Sequence, residues 1–437
     1  GDDARLPGVA RFKDAARVLV ATRVNVGWSA LGHATAMFEA ALAYARQREQ
    51  FGKPLGAHQM VQERLAQMLD EVTAMQTRCV AVARLQAAGR LRDEQATIDG
   101  IIQGMTQQSE MVEKREQHAV RASHAKSSAC VIGTLTIVDD LPPELAQGLF
   151  AEPGSYDVAI RFAQGPGETL GDRVSTHRGM AIKVFGVEGE KLPGHDAPTQ
   201  DFVLATGQTF PSGTASGFLS DAKKIGAATP MPEGVKSAVS SMARNFNKVL
   251  SLFDTAYAKA DFFGHPFSHP VGDDYFSQAP VRYGEYVAKL GAVPASQAQD
   301  ALGEWQLDPH EDEDGFRHAA TDYFRDHEAV FELKVQLWAN AETQPIEDAS
   351  IEWPSQDSQY RTVATIRIPA QDAYSPARVR YFDEVMTFRP AHSLAAHRPL
   401  GSVMRARLQV YRALSAFRHR ENGVAEENTA DITAIPA

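Results

Sequence analysis

The sequence is poor in cysteine: only Cys79 and Cys130 occur among its 437 residues. Two cysteines cannot build the disulfide framework of a small secreted scaffold, so we expect a reducing compartment, the cytoplasm. A run of about 18 apolar residues, as a membrane-spanning helix needs, is also missing. Lysine and arginine (44) are outnumbered by aspartate and glutamate (55), and the net charge is −11. This balance argues against nucleic acid or an anionic membrane as the main partner.

The composition is otherwise that of a globular protein, and 437 residues suffice for roughly two or three domains. Short segments rich in β-branched and aromatic residues predict strands. They lie at 131–138, 158–162, 180–187, 202–206, 330–338 and 360–368. Residues 213–263 have a helical pattern interrupted by proline-containing turns. Strands with segregated helices favour the α+β class over a repeated βαβ unit.

The first hundred residues have a different, all-helical pattern. Residues 18–46 are alanine-rich, and Gly52, Pro54 and Gly56 mark a turn after them. The following segment has apolar residues at alternating steps of four and three. They are Val61, Leu65, Met68, Val72, Met75, Cys79 and Val82. Such a seam predicts a helix packed on other helices, and therefore an N-terminal helical hairpin.

The segment ARQREQFGKPLGAHQMVQERLAQML, residues 45–69, resembles the C-terminal helical domain of acyl-CoA dehydrogenases, particularly the glutaryl-CoA type. The resemblance implies that Arg48, Gln50, Phe51 and Gln59 contact FAD at a subunit interface. A guanidinium suits a pyrophosphate group. However, the family's β domain and its catalytic glutamate segment are absent from this sequence. We therefore favour a structural or homo-oligomerising module over flavin-linked dehydrogenation.

Residues 93–115 are polar and lack a clear apolar seam. We interpret them as a linker or a solvated helix between two fused modules. The expected organisation is a helical segment at 1–98, a linker at 99–115, an α+β domain at 116–425 and a flexible tail at 426–437.

Near the C-terminus, the stretch RPLGSVMRARLQVYRALSAFRHREN, residues 398–422, predicts a basic helix. Arg407 and Tyr411 are four positions apart and share one face of it. A phenolate stabilised by a neighbouring guanidinium is a hard ligand suited to ferric haem iron. By itself, the pattern is also compatible with an amphipathic surface helix.

A second stretch, RASHAKSSACVIGTLTIVDDLPPEL at residues 121–145, places Arg121 three positions before His124. This arrangement resembles the start of the haem pocket in the catalase superfamily. Collinear segments at 158–185, 200–210, 345–353 and the tyrosine helix continue the resemblance, which covers about 105–425. The resemblance is to the short, catalase-related type. It implies an antiparallel β-barrel with haem b at its side and a peroxide as substrate.

The same resemblance implies a role for individual residues. Tyr411 would ligate the haem iron, and His124 would be the distal base that moves a proton. Arg121, Arg161 and Arg407 would hold the propionates or the phenolate. Apolar pocket walls would include Phe162 and Phe210.

At two positions on the distal side the sequence differs from the catalase pattern and lacks the expected hydrogen-bond donors. Ala163 stands where the family has a serine, while Ala205 and Thr206 stand where it has an asparagine. Thr206 keeps a hydroxyl, and we predict that it takes part in catalysis. Fast dismutation of hydrogen peroxide is therefore less favoured than slower peroxidase action on an organic reductant, or rearrangement of a lipid hydroperoxide. A haem-free binding scaffold and a flavin-linked module remain the alternatives.

Overall fold

The computed structural model describes residues 12–87, 94–250, 262–308, 312–427 and 429–436. The chain divides into two compact units, residues 1–93 and 94–437. Over the described residues, no helix combines the length and the apolar character needed to cross a membrane. Part of the helical pattern expected at 213–263, residues 251–261, lies outside the described ranges.

The first unit is a pair of long helices joined by a tight turn. Its elements are α1 (Phe12–Gln47), β1 (Glu49–Gln50), β2 (Lys53–Pro54) and α2 (Gln59–Ala87). The turn between the two short strands places Phe51 and Gly52 in the left-handed region, at φ 53° and 77°. The helices pack against each other. The expected N-terminal helical hairpin is therefore confirmed.

The second unit contains seven helices and nine strands in its described part. The helices are α3 (Glu94–Glu116), α4 (Ala215–Ala228), α5 (Glu233–Leu250), α6 (Gln297–Asp300), α7 (Gly315–Asp326), α8 (Pro376–Arg380) and α9 (Gly401–Asn422). The strands are β3 (Ser127–Ile137), β4 (Ser155–Gln164), β5 (Arg178–Phe185), β6 (Thr199–Thr206), β7 (Tyr275–Phe276), β8 (Val281–Tyr283), β9 (Tyr286–Pro294), β10 (Ala329–Leu337) and β11 (Tyr360–Ile368).

Eight of these strands close into an antiparallel barrel. Their order around the barrel is β10-β11-β3-β4-β5-β6-β7-β9, and β9 pairs with β10 to close the ring. Strand β8 adds to β9 beside β7. Closure satisfies the strand edges that an open sheet would leave unpaired. The expected α+β class with an antiparallel barrel is confirmed by these pairings.

The core follows from the period-two pattern of the strands. In β10, alternate residues Ala329, Phe331, Leu333 and Val335 are fully buried in one apolar cluster. Successive side chains of a strand point to opposite faces, so this alternation places one face of the sheet inside the barrel. Outside the barrel, α3 and α4 pack on α9.

The segment expected as a linker forms most of helix α3 and belongs to the second unit. Ile98, Ile101 and Val112 are buried, and the first two pack with Ala406 and Val410 of α9. The seam was hidden in the sequence because its other positions are polar or small.

The C-terminal segment also differs from the expected flexible tail. The hydroxyl of Thr429 bonds with that of Tyr381 at 3.0 Å, and Ile432 and Ile435 pack on a cluster around Phe382. These contacts give the segment a defined place on the second unit.

Candidate active site

Two adjoining cavities, of about 110 Å³ and about 280 Å³, lie within the second unit. Both are bounded by helices α3 and α9 on one side and by the barrel on the other. The residues that line both include Met105, Ser123, His124, Leu204, Val410 and Tyr411. The structure thus brings His124 and Tyr411 to the same space, although 286 positions separate them in the sequence.

Helix α9 places Arg407 and Tyr411 together. The Nη2 of Arg407 donates a hydrogen bond to the Tyr411 hydroxyl at 3.0 Å, and its Nη1 lies 3.3 Å from the sulfur of Met404. The helix ends at Gly423, whose left-handed backbone (φ 64°) caps it. Arg405 fixes the helix from outside through ion pairs with Glu94 and Glu347.

The loop before β3 holds His124 in an unusual backbone conformation. Its φ is 57°, in the left-handed region that residues other than glycine rarely occupy. The His124 N–H donates to the carbonyl of Gly165 at 3.0 Å, and Arg161 Nη2 donates to the His124 carbonyl at 2.8 Å. These two bonds hold the strained conformation, and strain of this kind concentrates at functional sites.

A glycine makes room for the His124 ring. A Cβ atom added to Gly179 of β5 would lie 2.7 Å from two atoms of the imidazole. Such an approach is well inside van der Waals contact, so the ring can lie against β5 only because residue 179 has no side chain.

Burial lowers the pKa of His124 well below its usual value, and the nearby His177, Arg161 and Arg407 lower it further. The imidazole is therefore neutral at neutral pH. Within the described residues its Nδ1 has no hydrogen-bond partner. A neutral imidazole at a cavity wall is able to accept a proton from a bound molecule.

A second histidine, His177, lies edge-on to His124 with ring centroids 5.2 Å apart. Its other face stacks on Phe262 at 4.2 Å, and it lines the larger cavity. His177 was not assigned to a site from the sequence, because no recognised motif surrounds it.

Four arginines line the smaller cavity: Arg121, Arg161, Arg389 and Arg418. Arg161 pairs with Asp383 at 2.7 Å, and Arg121 donates to the Met386 carbonyl at 2.9 Å.

Burial lowers the pKa of both Arg121 and Arg418, that of Arg121 well below its usual value and that of Arg418 to about 10, which leaves Arg418 a cation at neutral pH. The Nε of both, and of Arg389, has no hydrogen-bond partner among the described residues. The cluster therefore has donors and positive charge available for an anion. Arg389 and Arg418 were not assigned to a site from the sequence.

Of the remaining residues predicted for the pocket, some line a cavity and others do not. Phe210 lines the larger cavity and packs on Phe218 at 5.4 Å. Phe162 is fully buried in the apolar core and lines neither described cavity. Thr206 is buried, and its hydroxyl accepts a hydrogen bond from the backbone N–H of Arg178 at 3.0 Å. The neighbouring Ala205 is among the described residues that line the larger cavity, whereas Thr206 is not. The structure therefore does not bring the Thr206 hydroxyl to the cavity.

The four residues implied in flavin contact lie together at the turn of the first unit. Arg48, Phe51 and Gln59 are exposed, Phe51 at 93%, and Gln50 is half-buried. Residues 49–54 form a small hairpin that contains Gln50 and Phe51, with Arg48 just before it and Gln59 at the start of α2.

Comparison with known proteins finds two different similarities. The family model of the acyl-CoA dehydrogenase C-terminal domain matches residues 12–99. Glutaryl-CoA dehydrogenase of Desulfococcus multivorans is 39% identical over 72 residues, which are 16% of this chain and 18% of that protein. The chain therefore spans less than a fifth of that relative's length.

Catalases are among the structural neighbours of the chain. A fungal catalase is 18% identical, with a TM-score of 0.49 over 70% of this chain and 60% of its own. A bacterial catalase is 16% identical, with a TM-score of 0.48 over 71% and 60%. At these values the likeness carries no information on the activity of this chain.

Proposed function

We propose that the second unit binds haem b and breaks down peroxides, with Tyr411 as the iron ligand and His124 as the group that moves the proton. The observation that carries the proposal is the meeting of three features at adjoining cavities. These are a phenol hydrogen-bonded by Arg407, a neutral histidine at the cavity wall and a cluster of four arginines, of which Arg161 and Arg418 are buried.

The donors present fit the chemistry of haem. The Nε atoms of Arg121, Arg389 and Arg418, which have no partner among the described residues, match the carboxylates of two propionates. Tyr411 supplies an oxygen ligand on the wall shared by both cavities, and apolar side chains such as Val410 and Leu204 suit the porphyrin face. When bound, ferric haem supplies the electrons that cleavage of an O–O bond requires.

The chain's own residues supply the acid–base chemistry. Since His124 is neutral, it can take the proton of a peroxide O–H and return it to the departing oxygen, which leaves as water or an alcohol. Arg407 holds the Tyr411 oxygen in place at 3.0 Å. The Thr206 hydroxyl, engaged by Arg178, has no part in this scheme.

The missing donors favour a slow reaction over fast dismutation. Ala163 and Ala205, both beside the cavities, offer no hydrogen bond to peroxide, and preorganised donors account for large rate effects. We therefore favour peroxidase action with an organic reductant, or turnover of an organic hydroperoxide.

An absorption spectrum of the full chain after addition of haem b tests the proposal. A Soret band with one haem per chain, and its change on mixing with peroxide, is the expected result. A flavin spectrum in the purified chain would favour the alternative site around Arg48 and Phe51. Absence of haem uptake at equimolar haem would overturn the proposal.

A further inference from the structure

The structure assigns a positioning role to Gln278: its side-chain oxygen accepts a hydrogen bond from the O–H of a neutral substrate, of which an organic hydroperoxide is the reactive example. The inference rests on the proposed function of the same cavity and names the class of substrate that the cavity takes.

Backbone strain first singles out Gln278. Five non-glycine residues of the described chain have positive φ: Phe51, Gln117, His124, Asp140 and Gln278. Only His124 and Gln278 of these five line the larger cavity. Residues held in sparsely populated conformations persist where the surroundings impose them, and they cluster at functional sites.

The hydrogen bonds of Gln278 fix which end of its amide is available. Its Nε2 donates to the carbonyls of Thr206 at 3.2 Å and Gly207 at 3.4 Å. Carbonyl oxygens only accept hydrogen bonds, so the NH2 group must face them. The Oε1 accepts a hydrogen bond from none of the residues that the structure describes. The amide therefore leaves an acceptor at the cavity wall.

The neighbouring residues hold the side chain in this position. The N–H of Ser277 donates to the carbonyl of Leu290 at 2.9 Å, and its hydroxyl donates to the carbonyl of Ala279 at 2.9 Å. Gln278 thus lies between Ser277, which is bonded to strand β9, and Ala279, which is bonded to Ser277 within the turn. A rotation of the amide would break both bonds to residues 206 and 207, so the acceptor is preorganised.

An acceptor without a donor selects ligands by their charge and by whether they carry a hydrogen-bond donor. It attracts an O–H donor and repels an anion, and an acceptor without a donor carries a desolvation penalty. Most of the surrounding wall is apolar, including Phe210, Phe218 and Phe262. A neutral molecule with one O–H group on an apolar body meets both conditions.

A pair of unreactive ligands tests this directly. The alcohol 2-phenylpropan-2-ol has the body of cumene hydroperoxide and one O–H; its methyl ether lacks the O–H. Calorimetric titration of the haem-loaded full chain should show tighter binding of the alcohol by about fivefold, the effect of one net hydrogen bond. Gln278→Met should bind the alcohol and the ether with about equal affinity, since the acceptor is lost.

Two further variants make the result decisive. Gln208→Met, in the turn after β6, changes the same residue type at a position that lines neither described cavity, and it should retain the preference. Gln278→Gly suits the positive φ and should fold even if Gln278→Met does not. With cumene hydroperoxide, loss of the acceptor should raise KM more than it lowers kcat.

Two results would overturn the inference: equal binding of alcohol and ether by the parent chain, or an unchanged preference in Gln278→Met and Gln278→Gly. A purely structural role predicts the second, together with a lower Tm. If the chain takes up no haem, the proposed function fails separately; the same titrations on the haem-free chain still decide the role of Gln278.

Discussion

Arg407 and Tyr411 lie one turn apart on helix α9, and the guanidinium holds the phenol oxygen through a hydrogen bond of 3.0 Å. The guanidinium carbon also lies 5.3 Å from the centre of the phenol ring. This pair gives the cavity an oxygen atom whose position is fixed before any ligand binds. Preorganisation of this kind is what an iron ligand or a catalytic group requires.

Removal of that oxygen should abolish or severely weaken haem binding. Tyr411→Phe preserves the ring and most of its packing but cannot ligate iron. Haem affinity, measured from the Soret band during titration, should fall, and the phenolate-to-iron charge-transfer band should disappear. Tyr286→Phe removes a hydroxyl from an exposed tyrosine and should change neither. An unchanged charge-transfer band in Tyr411→Phe would refute the ligand assignment.

Replacing His124 should separate haem binding from chemistry. His124→Ala leaves Tyr411 and the arginines in place, so the haem should remain. Peroxide cleavage measured by rapid mixing should slow by about 10²–10⁴-fold, the usual contribution of a positioned acid–base group. His269→Ala, at a buried histidine outside both described cavities, should affect stability and not the rate. Equal rates of haem oxidation in parent and His124→Ala would end the assignment.

The space at Gly179 should be needed for the same reaction. Its replacement by alanine places a Cβ where atoms of the His124 ring lie, at 2.7 Å. The imidazole must then move, and a displacement of about 1 Å can cost roughly 100-fold in rate. Gly234→Ala, where no atom of the described residues lies within 4 Å of the new atom, is the matched control. Full turnover per haem in Gly179→Ala would show that the ring position does not matter.

Stability should fall in acid because several buried histidines are held neutral. Burial lowers the pKa of His397 to about 4, below an unfolded value of about 6.5. The unfolded chain takes up the proton first, so the contribution is present above pH 6.5 and is lost as the pH falls toward 4.

A variant isolates the contribution of His397. His397→Gln keeps an acceptor for the N–H of Leu149 but does not titrate. Between pH 7 and 5, its free energy of unfolding should fall by about 2 kcal/mol less than that of the parent. Denaturant titrations at the two pH values measure this. An identical pH dependence in both chains would contradict the assignment.

The two units should separate at residue 93 and not at the expected linker. A chain lacking residues 1–93 retains every residue assigned to the cavity and should bind haem. A chain lacking residues 1–116 also loses Ile98 and Ile101, which pack on α9, and Met105 from the cavity wall. It should melt at a lower temperature and bind haem weakly.

The same truncation tests the role of the first unit. If the helical hairpin is a homo-oligomerising module, light scattering should show a smaller assembly after removal of residues 1–93. Equal stability and haem binding of the two truncated chains would show that α3 is dispensable.

Local periodicity made part of this protein predictable. The seam at Val61, Leu65 and Met68 predicted the hairpin, and segments rich in β-branched and aromatic residues predicted six of the eight barrel strands. Strands β7 and β9 were not predicted. In α3 the same rule was obscured, because Ser109 and several glutamines interrupt the apolar positions that the fold buries. Whether a polar helix is solvated or packed depends on what lies beside it.

The sequence by itself determined the pairing of Arg407 with Tyr411, because residues four apart share a face of any α-helix. The meeting of His124 with His177 and Gln278 was decided only by the tertiary structure. These residues come from three separate segments, and their directions depend on strand order around the barrel and on left-handed backbone at His124 and Gln278. The Thr206 hydroxyl accepts a hydrogen bond from the backbone N–H of Arg178 and is not at the cavity, which the sequence did not indicate. Contacts between distant segments and strained backbone angles depend on the packing of the whole domain, so a local sequence pattern does not predict them.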